Sequence, residues 1–310
     1  MNISRAPSSP AEPAMNDLPK SSLKAWEDLT IADDYMFKLV MGHKHICKRL
    51  LEMILDVKIR KLMEPITEKA MKVGYESKGI RLDVYVEDDE NTVYDIEMQV
   101  RRYPETWLGR RTRYYQSVID FGALQAGVEY HKLKKSIIIF ICPFKIFDGE
   151  RHLYTFRNAC KEDGKLLLDD GSQKMFLSTK GRCDDVRPNV MNFLKFVDGL
   201  PVKDELVDEI RDLIIELKHT EKEKVSYMTY QMKIAEERDE ARAEGRAEGR
   251  AEGRAEGRAE GKAEGLNEGI LSLIASFKEL SIGQQQAVEQ LMKRFSLTHD
   301  EAVATVQSNW

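Results

Sequence analysis

The sequence predicts an α/β fold in which a helix, three strands, a second helix and a fourth strand form a core with a mixed sheet, followed by a C-terminal helical extension. Three observations support this prediction. Apolar residues recur at helical spacing early in the chain, two neighbouring runs alternate apolar and polar residues, and SIIIFICP is a continuous β-branched run typical of a buried parallel strand. The 310 residues, 42% of them hydrophobic, can bury a core of this size.

The first helix is expected from Asp33 or Asp34 to about Asp56, where an Asp start signal precedes apolar residues at roughly helical spacing. Gly42 lies inside this segment, so we expect either one long helix or a helix broken near this glycine. The apolar positions are Met36, Phe37, Val40, Met41, Ile46, Leu50, Leu51, Ile54 and Leu55.

Three strand-like runs follow: a short one near Lys72 to Glu76, then GIRLDVYVE, then TVYDIEMQV, the last two separated by the acidic turn DDEN. Residues 104–126 begin with a Pro suited to a first helical turn and predict the second helix. SIIIFICP supplies the fourth strand. Further strands and turns are expected at residues 147–178, and largely helical structure at residues 187–238.

Four segments of different composition predict the domain organisation. Residues 1–24 are rich in Pro, Ser and Ala and poor in large apolar groups, so we expect a disordered tail. Residues 25–240 should form the main domain, including its helical C-terminal part. Residues 241–265 carry RAEG five times and then KAEG, and we expect an arm or linker. Residues 266–310 regain apolar periodicity with Thr298 as a candidate helix cap, which predicts a small helical appendage.

The RAEG repeat has a period of four residues, which overshoots a helical turn by about 40° per repeat and builds no fixed apolar stripe. Glycine at every fourth position costs about 0.8 to 1 kcal/mol relative to Ala, and the i,i+4 neighbours carry like charges. We therefore expect a weak, solvated helix or a coil, which suits a spacer better than a coiled-coil zipper.

The composition argues against several classes of protein. With 48 basic and 53 acidic residues, the net charge does not indicate nucleic-acid binding. Any basic surface that binds nucleic acid must therefore be confined to one part of the protein. The four cysteines lie far apart with no CxxC pair, which indicates reduced thiols rather than a zinc site. Without a secretory signal or a long apolar run, we expect a cytoplasmic protein with no membrane span. No phosphate-binding glycine loop occurs, and we expect no nucleotide cofactor.

The candidate site lies in the hairpin GIRLDVYVEDDENTVYDIEMQV. Alternation places Asp83 on the same face as Glu97 and Gln99, and a turn centred on Glu90 pairs Asp83 with Glu97, their β-carbons about 4.5 to 5.5 Å apart. Facing like charges are unfavourable unless a divalent cation bridges them. Mg²⁺ or Mn²⁺ suits carboxylate oxygens and can activate water for phosphodiester hydrolysis. The alternative is that both acids lie on the solvated face of an amphipathic hairpin.

These residues resemble the PD-(D/E)XK nuclease superfamily and, more closely, its recombination-promoting nuclease and transposase family (Rpn). The resemblance rests on the element order, with Asp83 in the second strand and Glu97-Met98-Gln99 in the third. It extends to DDYMFKLVM, RRTRYYQSVIDF and AGVEYHKLKKSIIIFI and to the EG-rich repeat, and covers roughly residues 30–180. It implies a restriction-endonuclease-like fold and a metal-dependent DNA endonuclease that promotes recombination or transposition, with Mg²⁺ or Mn²⁺ as its cofactor.

By this resemblance, Asp83 and Glu97 are the metal-binding and catalytic carboxylates, and the backbone carbonyl of Met98 is a further ligand. Gln99 stands where the superfamily usually has lysine, and Asp34 supplies an acidic group from the first helix. A neutral glutamine cannot offer the positive charge of an ammonium group, which implies a modest rate. No Pro precedes Asp83, a second departure from the superfamily pattern.

A basic and aromatic cluster on the second helix is expected to contact phosphates near the carboxylates. Its members are Arg110, Arg111, Arg113, Tyr114, Tyr115 and Gln116, next to Arg101, Arg102 and Tyr103. Arg110, Arg113 and Gln116 are the candidates for positioning DNA, since the last two are three residues apart and share a helix face. The alternative is that the arginines extend along the surface and the tyrosines pack on the sheet.

Three functions remain open. The first is a metal-dependent endonuclease with DNA as its partner, and the intact set Asp83, Glu97 and Gln99 favours it. The second is a DNA-binding or assembly protein on a nuclease-like fold whose carboxylates no longer recruit metal. The third is a structural module that acts through the RAEG arm and the terminal helices. A homodimer joined by those helices is a further expectation for an enzyme that cuts both strands.

Overall fold

The structure is a computed structural model that describes residues 24–74, 76–124 and 127–310. The chain divides into two compact units, Met1–Thr229 and Tyr230–Trp310. The predicted tail, residues 1–24, lies outside the described residues apart from Lys24. The boundaries expected after residues 240 and 265 stay predictions.

The first unit contains the predicted core elements in the predicted order. They are α1 (Asp34–Met41), α2 (Lys44–Leu55), β1 (Ile66–Met71), β2 (Ile80–Glu87), β3 (Thr92–Met98), α3 (Glu105–Ala123) and β4 (Lys135–Cys142). They are followed by β5 (Leu153–Phe156), β6 (Ser172–Ser178), α4 (Pro188–Val197) and α5 (Glu205–Lys218). The first predicted helix is thus two helices, and the break near Gly42 is confirmed.

The strands form one mixed sheet in the order β1, β2, β3, β4, β6, β5. The first three are antiparallel neighbours, β4 runs parallel to both β3 and β6, and β5 is antiparallel to β6. Helix α3 is the crossover that a parallel β3–β4 pair requires. The predicted restriction-endonuclease-like αβββαβ core with its mixed sheet is confirmed, including the buried parallel strand β4.

Strand β1 lies earlier in the chain than predicted, at Ile66–Met71 rather than near Lys72 to Glu76. The prediction was wrong because half of ITEKAM is charged or polar, whereas the following KVGYE has the more strand-like composition. As an edge strand, β1 has mostly exposed side chains and needs few apolar residues. Tertiary position therefore decided which of the two runs pairs with β2.

Helix α3 covers one face of the sheet. Its buried side chains, among them Leu108, Tyr115 and Ile119, pack with Ile138 and Phe140 of β4 in one apolar cluster. The intervening β4 residues are equally buried, so side-chain alternation requires a second helical layer on the opposite face. Helices α1, α2, α4 and α5 contact one another, and α1 also contacts β1 and β2. The start of α1 therefore lies close to the strands that carry the candidate site.

Helix α6 (Glu221–Glu279) includes the whole RAEG repeat. The repeat was expected to be either a helix or a coil, and in the structure it is a helix. In the second unit, the end of α6 packs against α7 (Gln284–Phe295) and α8 (His299–Asn309) around Ile274, Leu291 and Val306. Thr298 caps α8 in a reciprocal arrangement with Glu301, as the sequence indicated. Within the described ranges, no helix is both long and apolar enough to cross a membrane.

Replacing three repeat glycines by alanine should strengthen α6. A β-carbon at Gly249, Gly253 or Gly257 would meet nothing within 4 Å, so each substitution should stabilise the helix by about 0.8 to 1 kcal/mol. Slower amide hydrogen exchange across residues 242–265 would show the effect. Gly199→Ala is the control, because its φ of +77° disfavours any side chain and the substitution should destabilise. Unchanged exchange in the triple variant would contradict the prediction.

Candidate active site

The hairpin of β2 and β3 brings Asp83 across from Glu97. Its last regular pair is Val84 with Ile96, and the same register continued by one residue places Asp83 opposite Glu97. This register corresponds to a turn centred on Glu90, as expected from the sequence. The two carboxylates therefore belong to neighbouring strands at one point of the sheet.

At this point side chains replace the backbone hydrogen bonds between the strands. The amide of Asp83 donates to Oε1 of Glu97 over 2.8 Å, and the amide of Met98 donates to Oδ2 of Asp83 over 3.1 Å. Leu82 and Tyr85 both pack in the cluster beneath α3, although regular alternation puts residues an odd number apart on opposite faces. The strand geometry is thus irregular around Asp83, and each carboxylate is fixed by the backbone of the facing strand.

The acids of β3 are buried. Glu97 is 1% exposed and Asp95 is 0% exposed, while Asp83 is partly exposed. The alternative that the hairpin presents a solvated acidic face is therefore wrong, because α3 covers that face. No N–H group among the described residues donates to Asp95, and its carboxyl group meets that of Glu97, with which it shares a side-chain hydrogen bond when it carries the proton. Buried carboxyl groups placed next to one another are costly, so this part of the sheet is arranged for something other than stability.

Burial and mutual repulsion raise the pKa of these acids. Burial raises the pKa of Asp83 well above its ordinary value, and the charges of Glu97 and Asp34 add to the effect. The pKa of Asp95 is raised for the same reasons, burial first and then Glu97 and Asp83. Burial also raises the pKa of Glu97, although a neighbouring guanidinium, that of Arg111, opposes it. The site therefore favours an added positive charge.

Arg111 on α3 is the cation in direct contact with the site. Its Nη2 donates to Oε2 of Glu97 over 2.9 Å, and its Nη1 donates to Oε1 of Gln99 over 2.6 Å. The hydroxyl of Tyr115 accepts two further bonds from the same guanidinium, which also lies over the ring of Phe140. All its contacts fix the plane of the guanidinium, so Arg111 holds Glu97 and Gln99 in one orientation.

A second cation enters from α1. Lys38 is buried, and its Nζ lies 3.2 Å from Asp34 and 2.9 Å from Oε1 of Glu68. Glu68 in β1 lies opposite Asp83 in the register, between the pairs Thr67 with Val84 and Lys69 with Leu82. The charge of Lys38 lowers the pKa of Asp83, whereas that of Asp34 raises it. Asp34 therefore lies within electrostatic range of the carboxylate pair, as the resemblance implied.

The three residues expected to position DNA have different environments. Arg110 and Arg113 are exposed on the outer side of α3. Gln116 is buried, and its amide donates to Asp120 over 2.9 Å and to the hydroxyl of Ser136 on β4. A phosphate contact from Gln116 would require this packing to open, so the structure separates it from the two arginines. Residues 113 and 116 are not exposed together, because they lie on either side of the boundary between the exposed and buried positions of α3.

Arg111 is a member of the basic cluster predicted from the sequence, but it was not among the residues predicted to act at the site. The signal was present: Arg111 lies three residues after Leu108 and four before Tyr115, both on the buried side of α3. An arginine on the inner stripe of a helix needs an acidic partner on the sheet. Lys38 carries the same kind of signal, since it lies one turn after Asp34 in a helix that is otherwise apolar.

The residues present fit a divalent metal ion. In the part of the chain that the structure describes, no group of three or more His, Cys, Asp or Glu side chains is arranged to hold a metal. Mg²⁺ does not need three such ligands, because it binds through one or two carboxylates and keeps several waters. Asp83 and Glu97 provide this pair, the backbone of Met98 lies beside it, and the nearby carboxyl group of Asp95 adds to a local excess of hard oxygen acceptors.

The αβββαβ core, with an acid in the second strand and Glu-x-Gln at the end of the third, defines a nuclease-like fold of the PD-(D/E)XK class. The family model described as "PD-(D/E)XK nuclease family transposase" matches residues 31–177, which include α1 to α3 and the sheet up to β6. Residues 31–177 of the chain belong to that family. No curated protein and no solved structure gives a significant match to the chain.

A lysine at position 99 should not improve this site. Gln99→Lys would place an ammonium group where Oε1 now accepts from Arg111, so we expect a loss of stability of about 1 to 3 kcal/mol and no gain in DNA cleavage. Urea unfolding measures the first effect. Gln173→Lys is a matched control, because Gln173 accepts from Arg157 at the surface and its substitution should change stability by less than about 0.5 kcal/mol. Faster cleavage by Gln99→Lys would contradict the prediction.

Proposed function

We propose that the protein is a divalent-metal-dependent DNA endonuclease that hydrolyses phosphodiester bonds, with Mg²⁺ or Mn²⁺ as its cofactor. The observation that carries the proposal is the facing pair Asp83 and Glu97, held at one point of the sheet by backbone amides although burial raises the pKa of both. A fold selected for stability alone would not keep this arrangement.

Asp83 and Glu97 would hold the metal ion through their carboxylates, and the carbonyl of Met98 is the proposed third protein ligand. A bound ion of this kind supplies an activated water and neutralises charge that develops on the phosphate. The role of the protein is to keep both carboxylates ionised and fixed. The carboxylates are held in fixed positions by the amide donors of the opposite strand and by the guanidinium of Arg111.

The remaining residues divide between orientation and DNA contact. Gln99 donates to the carbonyl of Arg101 and accepts from Arg111, so its side chain is fixed beside Glu97 and can orient water or a phosphate oxygen. The guanidinium of Arg111 supplies the positive charge that a neutral Gln99 lacks. Arg110 and Arg113, exposed on the same helix, are proposed to contact the DNA backbone and set its register.

The family description supports a role in DNA recombination or transposition, and we propose this as the setting of the cleavage. Cutting both strands of a duplex requires two active sites or two successive events. A homodimer is one way to provide the two sites, and it stays a prediction. A cytoplasmic location stays a prediction as well.

The test is cleavage of supercoiled plasmid by the purified full-length protein in Mg²⁺, in Mn²⁺ and in EDTA, beside Asp83→Asn and Glu97→Gln. Wild-type protein should nick the plasmid with either metal and not in EDTA. Each substitution should slow cleavage at least about 100-fold, since even residues that only support metal ligands are worth about 10- to 100-fold. Thermal unfolding should also show stabilisation by Mg²⁺ in the wild type alone.

Glu90→Gln is the matched control, because Glu90 is an exposed acid in the same hairpin and its loss should leave cleavage unchanged. Folded wild-type protein that leaves DNA intact in both metals would reject the nuclease. DNA binding that persists in that case would support the alternative of a DNA-binding or assembly protein on a nuclease-like fold.

A further inference from the structure

Two stacked aromatic rings, one exposed and one partly buried, lie at and just before the start of α3. Tyr103 and Trp107 are stacked, with ring centroids 6.4 Å apart and an angle of 23° between the ring planes. Trp107 is 48% exposed. Tryptophan normally buries a large part of its surface, so a half-exposed indole held nearly parallel to a second ring is a surface suited to binding a flat apolar partner.

The position of this pair connects it to the site. Trp107 lies three residues before Arg110 and four before Arg111, so it neighbours both on the helix surface. Arg111 contacts Glu97 and Gln99, and the side chain of Gln99 donates to the carbonyl of Arg101, in the segment that leads to Tyr103. The aromatic pair is therefore about one helical turn from the residues that hold the carboxylates.

The charged residues near the aromatic pair indicate which kind of molecule can bind there. Arg101, Arg102 and Arg110 are exposed near the aromatic pair in the chain, Arg113 is exposed further along α3, and Glu105 is the one acidic residue among residues 101–113. Exposed rings within a basic surface are the combination that binds single-stranded nucleic acid, in which bases stack on the rings and phosphates contact the cations. A base paired within a duplex is already stacked between its neighbours and cannot use such a surface.

We propose that Tyr103 and Trp107 form a stacking platform for an unpaired nucleotide, so that the site prefers single-stranded or locally opened DNA to intact duplex. This inference rests on the proposed function for its choice of DNA. Trp107 supplies the main ring face, Tyr103 holds the indole in place, and Arg110 contacts the adjoining phosphate. Neither ring takes part in bond cleavage.

The test measures binding without cleavage. Fluorescence anisotropy in EDTA compares a labelled single strand of about 12 nucleotides with a blunt duplex of the same sequence. Wild-type protein should bind the single strand at least about fivefold more tightly. Trp107→Leu should weaken single-strand binding about tenfold and change duplex binding less than about twofold, whereas Trp107→Phe should retain most of the affinity. Because Trp107 is half exposed, the variants are expected to fold, and circular dichroism verifies this.

Phe121→Leu is the matched control, since Phe121 is a 62% exposed aromatic residue on the same helix, 14 residues after Trp107. It should bind both DNAs as the wild type does. Tighter wild-type binding to duplex, an equal loss on both DNAs in Trp107→Leu, or no loss on either would each overturn the proposal. Single-strand preference that depends on Trp107 supports it even if the plasmid assay shows no cleavage, so the two proposals fail separately.

Discussion

Asp83→Asn should make the metal-free protein more stable at neutral pH while it abolishes cleavage. Asparagine can still accept from the amide of Met98, and its amide hydrogens can donate to Glu97, so no hydrogen bond need be lost. The substitution removes a negative charge that raises the pKa of the buried Asp95. A gain of about 0.5 to 2 kcal/mol is typical when a strained functional site is relieved.

The pH dependence of stability has a definite sign. The pKa of Asp83 is raised above its ordinary value of 3.8 in the folded protein, so its contribution is fully present below that pH and is lost as the pH rises through the raised value. The groups that act on it are Glu97 and Asp34, which raise the pKa, and Lys38, which lowers it. Metal-free wild-type protein should therefore lose stability as the pH rises from about 4 towards neutral.

Urea unfolding in EDTA between pH 5 and pH 8, in steps of about one pH unit, tests both expectations, since stability changes with pH wherever the two states bind different numbers of protons. Asp83→Asn should show the smaller dependence on pH, because it lacks one titrating group. Mg²⁺ should stabilise the wild type most at the high end of this range, where both carboxylates are ionised. A variant that is less stable than the wild type and follows the same pH slope would show that Asp83 is an ordinary structural acid.

Arg111→Leu should be the most destabilising single substitution at the site. It leaves Glu97 buried without its cation and removes a hydrogen-bond partner from Gln99 and from Tyr115. Breaking a buried ion pair costs about 3 to 5 kcal/mol, and since the Arg111 side chain is 33% exposed we expect about 2 to 4 kcal/mol. Urea unfolding at neutral pH gives the value directly.

Two further variants show whether the geometry of Arg111 matters. Arg111→Lys keeps the charge but cannot donate to Glu97, Gln99 and Tyr115 together, so it should recover part of the stability and little of the cleavage. Arg110→Leu removes the exposed neighbour on the same helix and should change stability by less than about 0.5 kcal/mol. Equal effects of Arg110→Leu and Arg111→Leu on stability would show that the contact with Glu97 contributes nothing.

The hairpin was predictable from the sequence because its signals are local. Alternation fixes the faces, the DDEN turn fixes the register, and together they place Asp83 opposite Glu97. Strand β1 was misplaced because an exposed edge strand needs no apolar pattern of its own, and the run KVGYE beside it has the more strand-like composition. Register follows from neighbouring residues, whereas the choice of an edge strand depends on the rest of the sheet.

The contacts of the candidate site were predictable only in part, because they join distant segments. Whether an arginine on α3 extends into solvent or turns inward depends on how the helix is rotated on the sheet, which no short motif specifies. Arg111 points inward and Arg110 outward although they are adjacent in the chain. Gln116 was expected at the surface and is buried against Ser136 for the same reason.

The hydrogen bond between Arg111 and Gln99 couples the side chains at these two positions. A lysine at position 99 is compatible with a neutral residue at position 111, and a glutamine at 99 is compatible with an arginine at 111. Cations at both positions would repel each other, and neutral residues at both would leave Glu97 without a positively charged partner. We expect these positions to covary among related chains. The positive charge of the site can therefore come from either position. A neutral residue such as Gln99 in the strand motif does not by itself indicate an inactive site, because Arg111 on α3 supplies the positive charge.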